Sequence, residues 1–328
     1  MKPFAAAVLG VLGAAMSAAA ARPQASAPHV ITRSERRVAD RHVSALAEMA
    51  RAVNAGDAQS YARLYAPDAV ITIHGTAELK GRRAIEQHEV ELLKEFPGAR
   101  LAFYAIWQKG PLAVVHYAVN AGTPGGQSMG HEGLLFYRFH PAGLIEEEHR
   151  YQDSLTPMAQ LGMLGAAPAR PAPILPTEMK RYMATGSLGE SENVALVTAS
   201  FAALDSKAEP AFLAGVAENS VVDELILPQP FAGKPNVKTW FETWTGAVPD
   251  ASTKITAILG IGDFVLVETI LRGTLKGPLG RLSASDRGFA VHRGAVVQVT
   301  DGRLSRIWCF MNGKELAQAV GQWPPPGK

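Results

Sequence analysis

Apolar residues follow helical spacing and then strand-like spacing, and this succession occurs twice along the chain. Residues 43–53 carry apolar side chains three and four positions apart, as the buried face of a helix requires. The same spacing recurs over residues 57–65 and again over residues 85–96, which end at a Pro-Gly stop. Strand-like runs follow, namely RLAFYAIWQ, LAVVHYAVNA, HEGLLFYRFH and LIEEEHRYQD. Helices followed by a strand meander predict an α+β fold with a curved antiparallel sheet wrapped around N-terminal helices.

An internal repeat predicts that the chain contains two such units in tandem. A shift of 152 positions (233 minus 81) aligns Gly81 with Gly233 and Pro97 with Pro249. The alignment runs without a gap over about 70 residues and keeps one order of glycine, proline and apolar runs, which is the signature of a duplicated unit. We therefore expect two cone-shaped domains.

Composition along the chain predicts where these domains begin and end. The segment 165–191 is rich in proline, glycine and alanine, which disfavour a helix and are typical of a linker. The first domain is expected at residues 34–164 and the second at residues 192–322.

The N-terminus has the pattern of a secretory signal peptide over residues 1–27. Lys2 precedes an apolar stretch, and small residues suited to cleavage follow it. The alternative is an uncleaved membrane anchor, but the stretch is short and rich in alanine for a span. The expectation is a periplasmic or secreted protein with no stable membrane insertion after cleavage.

Charge and cysteine content exclude several functional classes. The net charge is +2 without a long basic run, so no nucleic-acid partner is expected. Cys309 is the single cysteine, which excludes an internal disulfide and a multi-cysteine zinc site. The histidines lack the spacing of a recognised metal motif, and no dinucleotide or phosphate loop is present. No metal or cofactor is therefore expected.

The sequence resembles the SnoaL-like polyketide cyclases of the nuclear-transport-factor-like superfamily. The residues that carry the resemblance are NAGDAQSYARLYAPDAVITIHG, LKGRRAIEQHEVELLKEFPGARL and YQDSLTPMAQLG in the first copy, with DGRLSRIWCFMNGKELAQAVG in the second. The resemblance implies a small hydrophobic ligand, cofactor-free proton transfer by Asp153 and sheet-to-sheet packing of the two copies as a pseudo-dimer. Asn312 aligns with Asp153 and cannot take a proton from carbon, so the second copy is expected to be non-catalytic.

The residues around Asp153 support two interpretations of its role. Side chains at 147, 149, 151 and 153 share one face of a strand, because strand side chains alternate with period two. If that face lines an apolar cone, desolvation makes Asp153 a better base, and His149 and Tyr151 orient it or hold an enolate oxygen. Alternatively, Asp153 caps the helix that begins at DSLTPMAQLG.

Other candidates come from isolated polar or aromatic residues in apolar runs. His116 interrupts an apolar strand and is the fourth candidate catalytic residue, although a lone histidine there is more often a hydrogen-bonded core group. Ser128 lies in GQSMG, which matches a nucleophile elbow but lacks the required strand and helix on either side. The candidate pocket residues are His74, Tyr61, Tyr65, Tyr104, Trp107, Trp308, Phe310 and Asn312.

These patterns predict an exported protein that binds a small hydrophobic molecule. Cofactor-independent acid/base chemistry of the cyclase or isomerase type is expected in the first cone. The alternative is a non-catalytic binding or scaffold protein of the same fold, because one fold supports many functions.

Overall fold

The computed structural model describes residues 31–122, 126–165 and 169–323. The predicted signal peptide lies outside the described residues. The first domain contains, in chain order, α1 (Arg33–Ala55), α2 (Ala58–Arg63), β1 (Tyr65–Ile73), β2 (Ala77–Lys80), α3 (Arg82–Glu95), β3 (Arg100–Lys109), β4 (Leu112–Gly122), β5 (Ser128–Phe139), β6 (Ile145–Gln152), α4 (Leu155–Gln160) and β7 (Lys180–Met183).

The second domain repeats this order almost element for element. It contains α5 (Leu188–Asp205), α6 (Glu209–Ala214), β8 (Val216–Glu224), β9 (Phe231–Ala232), α7 (Lys234–Ala247), β10 (Ser252–Ile261), β11 (Phe264–Thr274), β12 (Gly288–Thr300), β13 (Arg303–Met311) and α8 (Gly313–Ala319). The predicted α+β class and the tandem repeat are confirmed.

Local sequence signals set the ends of the first helix. The Thr32 hydroxyl accepts a hydrogen bond from the amide of Glu35, and the Glu35 side chain bonds back to the Thr32 amide, which forms a capping box. Gly56 ends the helix in the left-handed conformation, with φ of 71°, where a side chain would be disfavoured. The apolar face predicted for this helix supplies Leu46, Met49 and Val53 to the core.

Each sheet is mixed, whereas a purely antiparallel sheet is expected from the sequence. The strand orders are β2-β1-β6-β5-β4-β3-β7 and β10-β11-β12-β13-β8-β9. The meander β3–β6 is antiparallel as predicted, but β1 lies parallel to β6 and β8 lies parallel to β13. In each domain the first strand is separated from the meander by a helix, and such a crossover permits parallel pairing.

The segment expected to be a linker contributes a strand to the first sheet. β7 pairs in parallel with β3 through residues 180–183. The described residues before it, 169–179, contain no helix, as predicted. The linker therefore extends the edge of the first sheet before the second domain begins.

The described residues form a core of three hydrophobic clusters. One lies between the first sheet and its helices and another between the second sheet and its helices. The third joins the outer faces of both sheets and contains Ala105, Trp107, Val114, Leu134, Phe136, Tyr151, Leu225, Ile261, Phe264, Leu266, Val296 and Phe310. Each sheet is thus covered on both faces. Within the described part of the chain, no helix combines the length and hydrophobicity that crossing a bilayer requires.

Shortening one side chain of this third cluster should weaken the fold slightly. Ile261 is 0% exposed, so Ile261→Val is expected to lower the free energy of unfolding by about 1 kcal/mol through a lost methylene and a small cavity. Ile174→Val is the matched control, because Ile174 is 88% exposed. Urea denaturation of both variants measures the difference, and equal midpoints would contradict burial of Ile261 between the sheets.

Candidate functional site

The last strand of the first meander, β6, points Glu148 and Arg150 into the first cone. Glu148 and Arg150 hydrogen-bond there to tyrosines of β1 and α2. The odd-numbered side chains point the other way, since His149 and Tyr151 both hydrogen-bond to Glu268 of the second domain. Of the odd-numbered face expected to line the cone, His149 and Tyr151 therefore meet the second domain instead, and Asp153 borders the cavity. Because both faces of this sheet are buried, alternation along the strand does not reveal which face meets the helices.

A cavity of about 530 Å³ lies in the first cone between the helices and the sheet. This volume is within the range of small-molecule sites. Most of its wall is apolar, and the apolar lining includes Met49, Val53, Leu92, Phe96, Met129 and Leu135. The polar residues of the wall come from α2, the turn after β1, α3 and the segment β4–β6 with the turn that follows it, so the chemistry of the cavity depends on these few groups.

Glu89 on α3 places an ionisable carboxyl group in this largely apolar wall. Glu89 is 3% exposed, and no hydrogen bond from the described residues contributes to its pKa. Burial raises the pKa of Glu89 to about 7, while the positive charge of Arg150 opposes the shift and the negative charge of Glu148 adds to it. A carboxyl group with this pKa exchanges a proton readily near neutral pH.

The sequence alone could have identified Glu89 as a candidate, from its position on the apolar face of α3. Ile85, Leu92 and Phe96 form the apolar stripe of α3, and Glu89 lies four residues after Ile85 on the same stripe. An acidic residue in the middle of an apolar helix face is rare unless it is paired or functional.

Arg150 is the centre of a buried hydrogen-bond network beside Glu89. Its guanidinium donates to Glu148 Oε1 through Nε at 2.7 Å and to the Tyr61 hydroxyl through Nη2 at 3.0 Å. The Tyr65 hydroxyl donates to Glu148 Oε2, and the hydroxyls of Tyr61 and Tyr65 lie 2.9 Å apart. Burial raises the pKa of both phenols above the ordinary value, so both remain protonated. The network holds the Arg150 guanidinium in one orientation in the wall of the cavity.

A second polar group borders the cavity on β4–β6. The Tyr117 hydroxyl donates to Gln152 Oε1 at 2.8 Å and lies 3.4 Å from Nε2 of His131. Burial lowers the pKa of His131 to about 4, with partial opposition from Gln152, so the imidazole is neutral at physiological pH. The cavity wall therefore offers an uncharged imidazole, an amide and a phenol in addition to Glu89.

Removing the Tyr117 hydroxyl should cost a measurable part of the stability. Tyr117→Phe leaves Gln152 Oε1 without this donor and is expected to lower the free energy of unfolding by about 1 kcal/mol. Tyr104→Phe is the control, because its hydroxyl bonds the Ile174 carbonyl at the protein surface. Thermal denaturation of the two variants tests this, and equal losses would contradict a specific role for the Tyr117 bond.

Asp153 caps a helix instead of presenting a free carboxylate. Its Oδ1 accepts from the amides of Leu155 and Gly313 at 3.1 and 2.9 Å. Its Oδ2 accepts from the amide and the hydroxyl of Thr156 at 2.8 and 2.7 Å. Burial raises the pKa of Asp153, and these four hydrogen bonds oppose the shift. Asp153 borders the cavity, but the geometry agrees with the helix-cap interpretation and gives no support to the free base.

Asn312, the counterpart of Asp153, makes the reciprocal contact from the second domain. Its Oδ1 accepts from the amides of Ser154 and Lys314 at 3.2 and 3.1 Å. Its Nδ2 donates to the His74 carbonyl and lies 3.3 Å from the Thr76 hydroxyl. Each of the two equivalent residues thus bonds to the first turn of the helix in the other domain, so Asn312 is a structural link and does not line the cavity.

Comparison with known families agrees with this architecture. A model described as a SnoaL-like domain matches residues 46–148, and a model described as SnoaL-like polyketide cyclase matches residues 195–320. The chain is a tandem of two SnoaL-like domains. No curated protein sequence matches it.

Solved structures similar to this chain each correspond to about one of its domains. A protein described as a SnoaL-like polyketide cyclase from Jannaschia sp. CCS1 is 17% identical, with a TM-score of 0.39 over 42% of this chain and 97% of its own. One described as a polyketide cyclase from Pseudomonas putida KT2440 is 22% identical, with a TM-score of 0.34 over 39% and 97%. A Mycobacterium tuberculosis protein in complex with estradiol-17β-hemisuccinate is 19% identical, with a TM-score of 0.33 over 35% and 95%.

His149, Tyr151 and His74 lie between the two SnoaL-like domains and not in the cavity. His149 Nδ1 and the Tyr151 hydroxyl both lie 2.7 Å from Oε1 of Glu268. Hydrogen bonding to Glu268 raises the pKa of His149. Burial lowers the pKa of His74 to about 3, aided by His149 and His292. These expected catalytic and pocket residues therefore form an interface cluster.

His116 also faces the interface between the SnoaL-like domains. Its Nε2 lies 2.7 Å from Oε2 of Glu132, and its ring contacts Phe310 and Trp308 at centroid distances of 5.1 and 6.1 Å. Tyr104 packs against the same imidazole at 4.6 Å. His116 is thus a hydrogen-bonded core histidine, which is the alternative that the sequence favours for an isolated histidine.

Of the remaining residues predicted to form the site, one lines the cavity and the others lie elsewhere in the fold. Tyr61 lines the cavity as expected. Tyr65 is fully buried behind it, and Trp107 packs on Tyr182 and Phe264 at the interface. Ser128 is exposed at the start of β5, which does not fit a nucleophile elbow.

Large aromatic residues lie in the interior of the second SnoaL-like domain. Trp240, Trp244 and Phe241 of α7 are buried in its core. The charged pair in this interior is Arg293 and Glu224, which are 2.5 Å apart. A buried ion pair of this kind is a structural element, and the site described above has no counterpart in these residues.

Proposed function

We propose that the first SnoaL-like domain binds a small, largely apolar molecule and moves a proton from one atom of that molecule to another, with Glu89 as the acid/base group. The observation that carries the proposal is a carboxyl group, 3% exposed, in the wall of an apolar cavity of about 530 Å³. Its pKa of about 7 suits both removal and return of a proton at neutral pH. The reaction class is cofactor-independent isomerisation or cyclisation next to a carbonyl group.

The other polar groups of the wall have supporting roles in this mechanism. Ionised Glu89 removes the proton, and an oxyanion then develops on the substrate carbonyl. The guanidinium of Arg150, which Glu148 and the Tyr61 hydroxyl hold in place before the reaction, supplies the positive charge that stabilises such an oxyanion. Neutral Glu89 then returns the proton to another atom of the substrate.

The second domain has a supporting role in the proposal. Its interior is occupied by Trp240, Trp244 and Phe241, and Asn312 cannot act as a base. We propose that the two domains form an intramolecular pseudo-dimer, and the cluster of apolar residues shared by both sheets supports this. We also propose export to the periplasm or the medium, which the apolar N-terminal pattern of residues 1–27 supports.

A non-catalytic binding protein is the second candidate. The observation that favours it is Asp153, which accepts four hydrogen bonds at the position where the cyclases that this sequence resembles have their base. Both candidates place the ligand in the same cavity. An enzyme would release the bound molecule as a product, whereas a binding protein would release it chemically unchanged.

Extraction of small molecules from the purified protein tests the ligand site directly. Ala121 lines the cavity, so Ala121→Trp should fill it. Ser128→Trp is the control, because Ser128 is exposed on the next strand. Mass spectrometry should detect an apolar molecule with the wild type and with Ser128→Trp, and not with Ala121→Trp. The same molecule bound equally by all three proteins would contradict the cavity as the binding site.

A further inference from the structure

Three potential metal ligands from both domains converge on the interface, away from the cavity. His74 follows β1, His149 belongs to β6 and Glu268 belongs to β11. One donor atom from each lies within 4.8 Å of the donor atoms of the other two. No short metal-binding motif contains these residues, which are 75 and 119 positions apart in the sequence (149 minus 74 and 268 minus 149). The sequence pattern therefore does not predict the group.

The ring of His74 lacks the hydrogen bonds that a buried imidazole normally has. His74 is 9% exposed, and its Nε2 is buried with no partner among the described residues. The ring is held in place by stacking on His292 at 4.1 Å and by packing on Tyr151 at 4.5 Å. Buried polar atoms nearly always have a partner, and a bound ion would supply one for this nitrogen.

The other two ligands already have the outer contacts that metal ligands require. His149 directs Nδ1 at Glu268 Oε1, 2.7 Å away, and its Nε2 lies 3.2 Å from Oε1 of Glu147. A carboxylate on the far nitrogen is the usual partner that orients a metal-bound histidine. The Tyr151 hydroxyl donates to Glu268 Oε1 and holds that carboxylate.

We propose that His74, His149 and Glu268 bind one divalent transition-metal ion of the Zn²⁺ class across the domain interface. Two imidazoles and one carboxylate form a ligand set that Zn²⁺ accepts, with a fourth position left for water. The ion would separate the directly bonded His149 and Glu268 and coordinate both. It would also join the first domain to the second, since Glu268 is the sole ligand of the three from the second domain. The side chain of His149 is 32% exposed, which gives an ion a route to the site.

The direct test is zinc binding by the full chain after metal removal with a chelator. Competition with a chromogenic chelator should show one tightly bound Zn²⁺ per chain. His74→Gln and Glu268→Gln should each weaken binding at least about tenfold, since each removes a ligand. His116→Gln is the matched control, because His116 and Glu132 form a His–Glu pair of the same 2.7 Å length at the interface and have no third ligand among the described residues. That variant should bind as the wild type does.

Co²⁺ in place of Zn²⁺ separates loss of the site from loss of the fold. Wild type and His116→Gln should show the visible absorption of tetrahedral or five-coordinate Co²⁺, and the two ligand variants should not. The ligand variants should keep the wild-type circular dichroism spectrum in the absence of metal. Wild-type affinity no tighter than that of Glu268→Gln, or a Co²⁺ spectrum unchanged by both ligand variants, would overturn the proposal.

Discussion

Glu89→Gln is expected to raise the free energy of unfolding at pH 8 by about 3 kcal/mol. The pKa of Glu89 rises from an ordinary value of 4.5 to about 7 because burial disfavours the carboxylate. Each pKa unit corresponds to about 1.4 kcal/mol, which gives the expected size of the effect. Glutamine has nearly the same shape and no charge, so the substitution removes the cost of holding a buried carboxylate.

The pH dependence of this effect has a definite sign. Between pH 4.5 and about 7 the unfolded chain has lost the Glu89 proton and the folded chain has kept it. Wild-type stability therefore falls as pH rises through this window and levels off above it. The difference between Glu89→Gln and wild type should be close to zero below pH 4.5 and complete near pH 8.

Urea denaturation across this pH range measures the difference. Glu91→Gln is the control, since Glu91 is exposed on the same helix and exposed substitutions have small effects. A stability difference between Glu89→Gln and wild type that does not change with pH would show that Glu89 is not the buried, proton-binding group described above.

Asp153→Ala is expected to lower the free energy of unfolding by about 3–5 kcal/mol. The substitution removes the acceptor of four hydrogen bonds, from the Leu155 amide, the Gly313 amide and both donors of Thr156. Each buried donor left without a partner costs about 1–3 kcal/mol, and loss of a helix cap costs about 1 kcal/mol, with incomplete additivity. Asp153→Asn should also destabilise, because its NH₂ group would face one of these donors.

Ser154→Ala provides the comparison for Asp153. Ser154 precedes α4 and its side chain makes no capping hydrogen bond, so its replacement should change stability by less than about 0.5 kcal/mol. Calorimetry of both variants gives the two values. A stable Asp153→Ala protein would contradict the structural role and would restore the free-base interpretation.

Much of the fold is predictable because its signals are local. The helical stripe of α1, the Pro-Gly stop after α3 and the strands of the meander follow from spacing and turn residues, and the repeat doubles the evidence. The parallel pairing of β1 with β6 is not local. The pairing depends on which strand of the meander lies next to β1, and α3 separates β1 from the meander in the sequence. Alternation of side chains along a strand does not determine that neighbour.

The candidate site is less predictable, because β6 is buried on both faces. Its odd-numbered residues include His149 and Tyr151, which suggest chemistry, but they meet the second domain. Glu148 and Arg150 enter the cone, although nothing in EEEHRYQD distinguishes them from surface charges. Deciding between the faces requires knowledge of what covers each one, and that is a property of the whole chain.

The pH–rate profile for ring opening of 5-nitrobenzisoxazole tests the central claim most directly. This reaction needs only removal of one proton from carbon, and its coloured product reports on any well-placed base in an apolar cavity. Wild type and Glu91→Gln should accelerate it with a midpoint near pH 7, which is the pKa of Glu89. Glu89→Gln should lose that acceleration while binding the compound equally well. Equal rates for Glu89→Gln and wild type would contradict the claim that Glu89 is the base of this cavity.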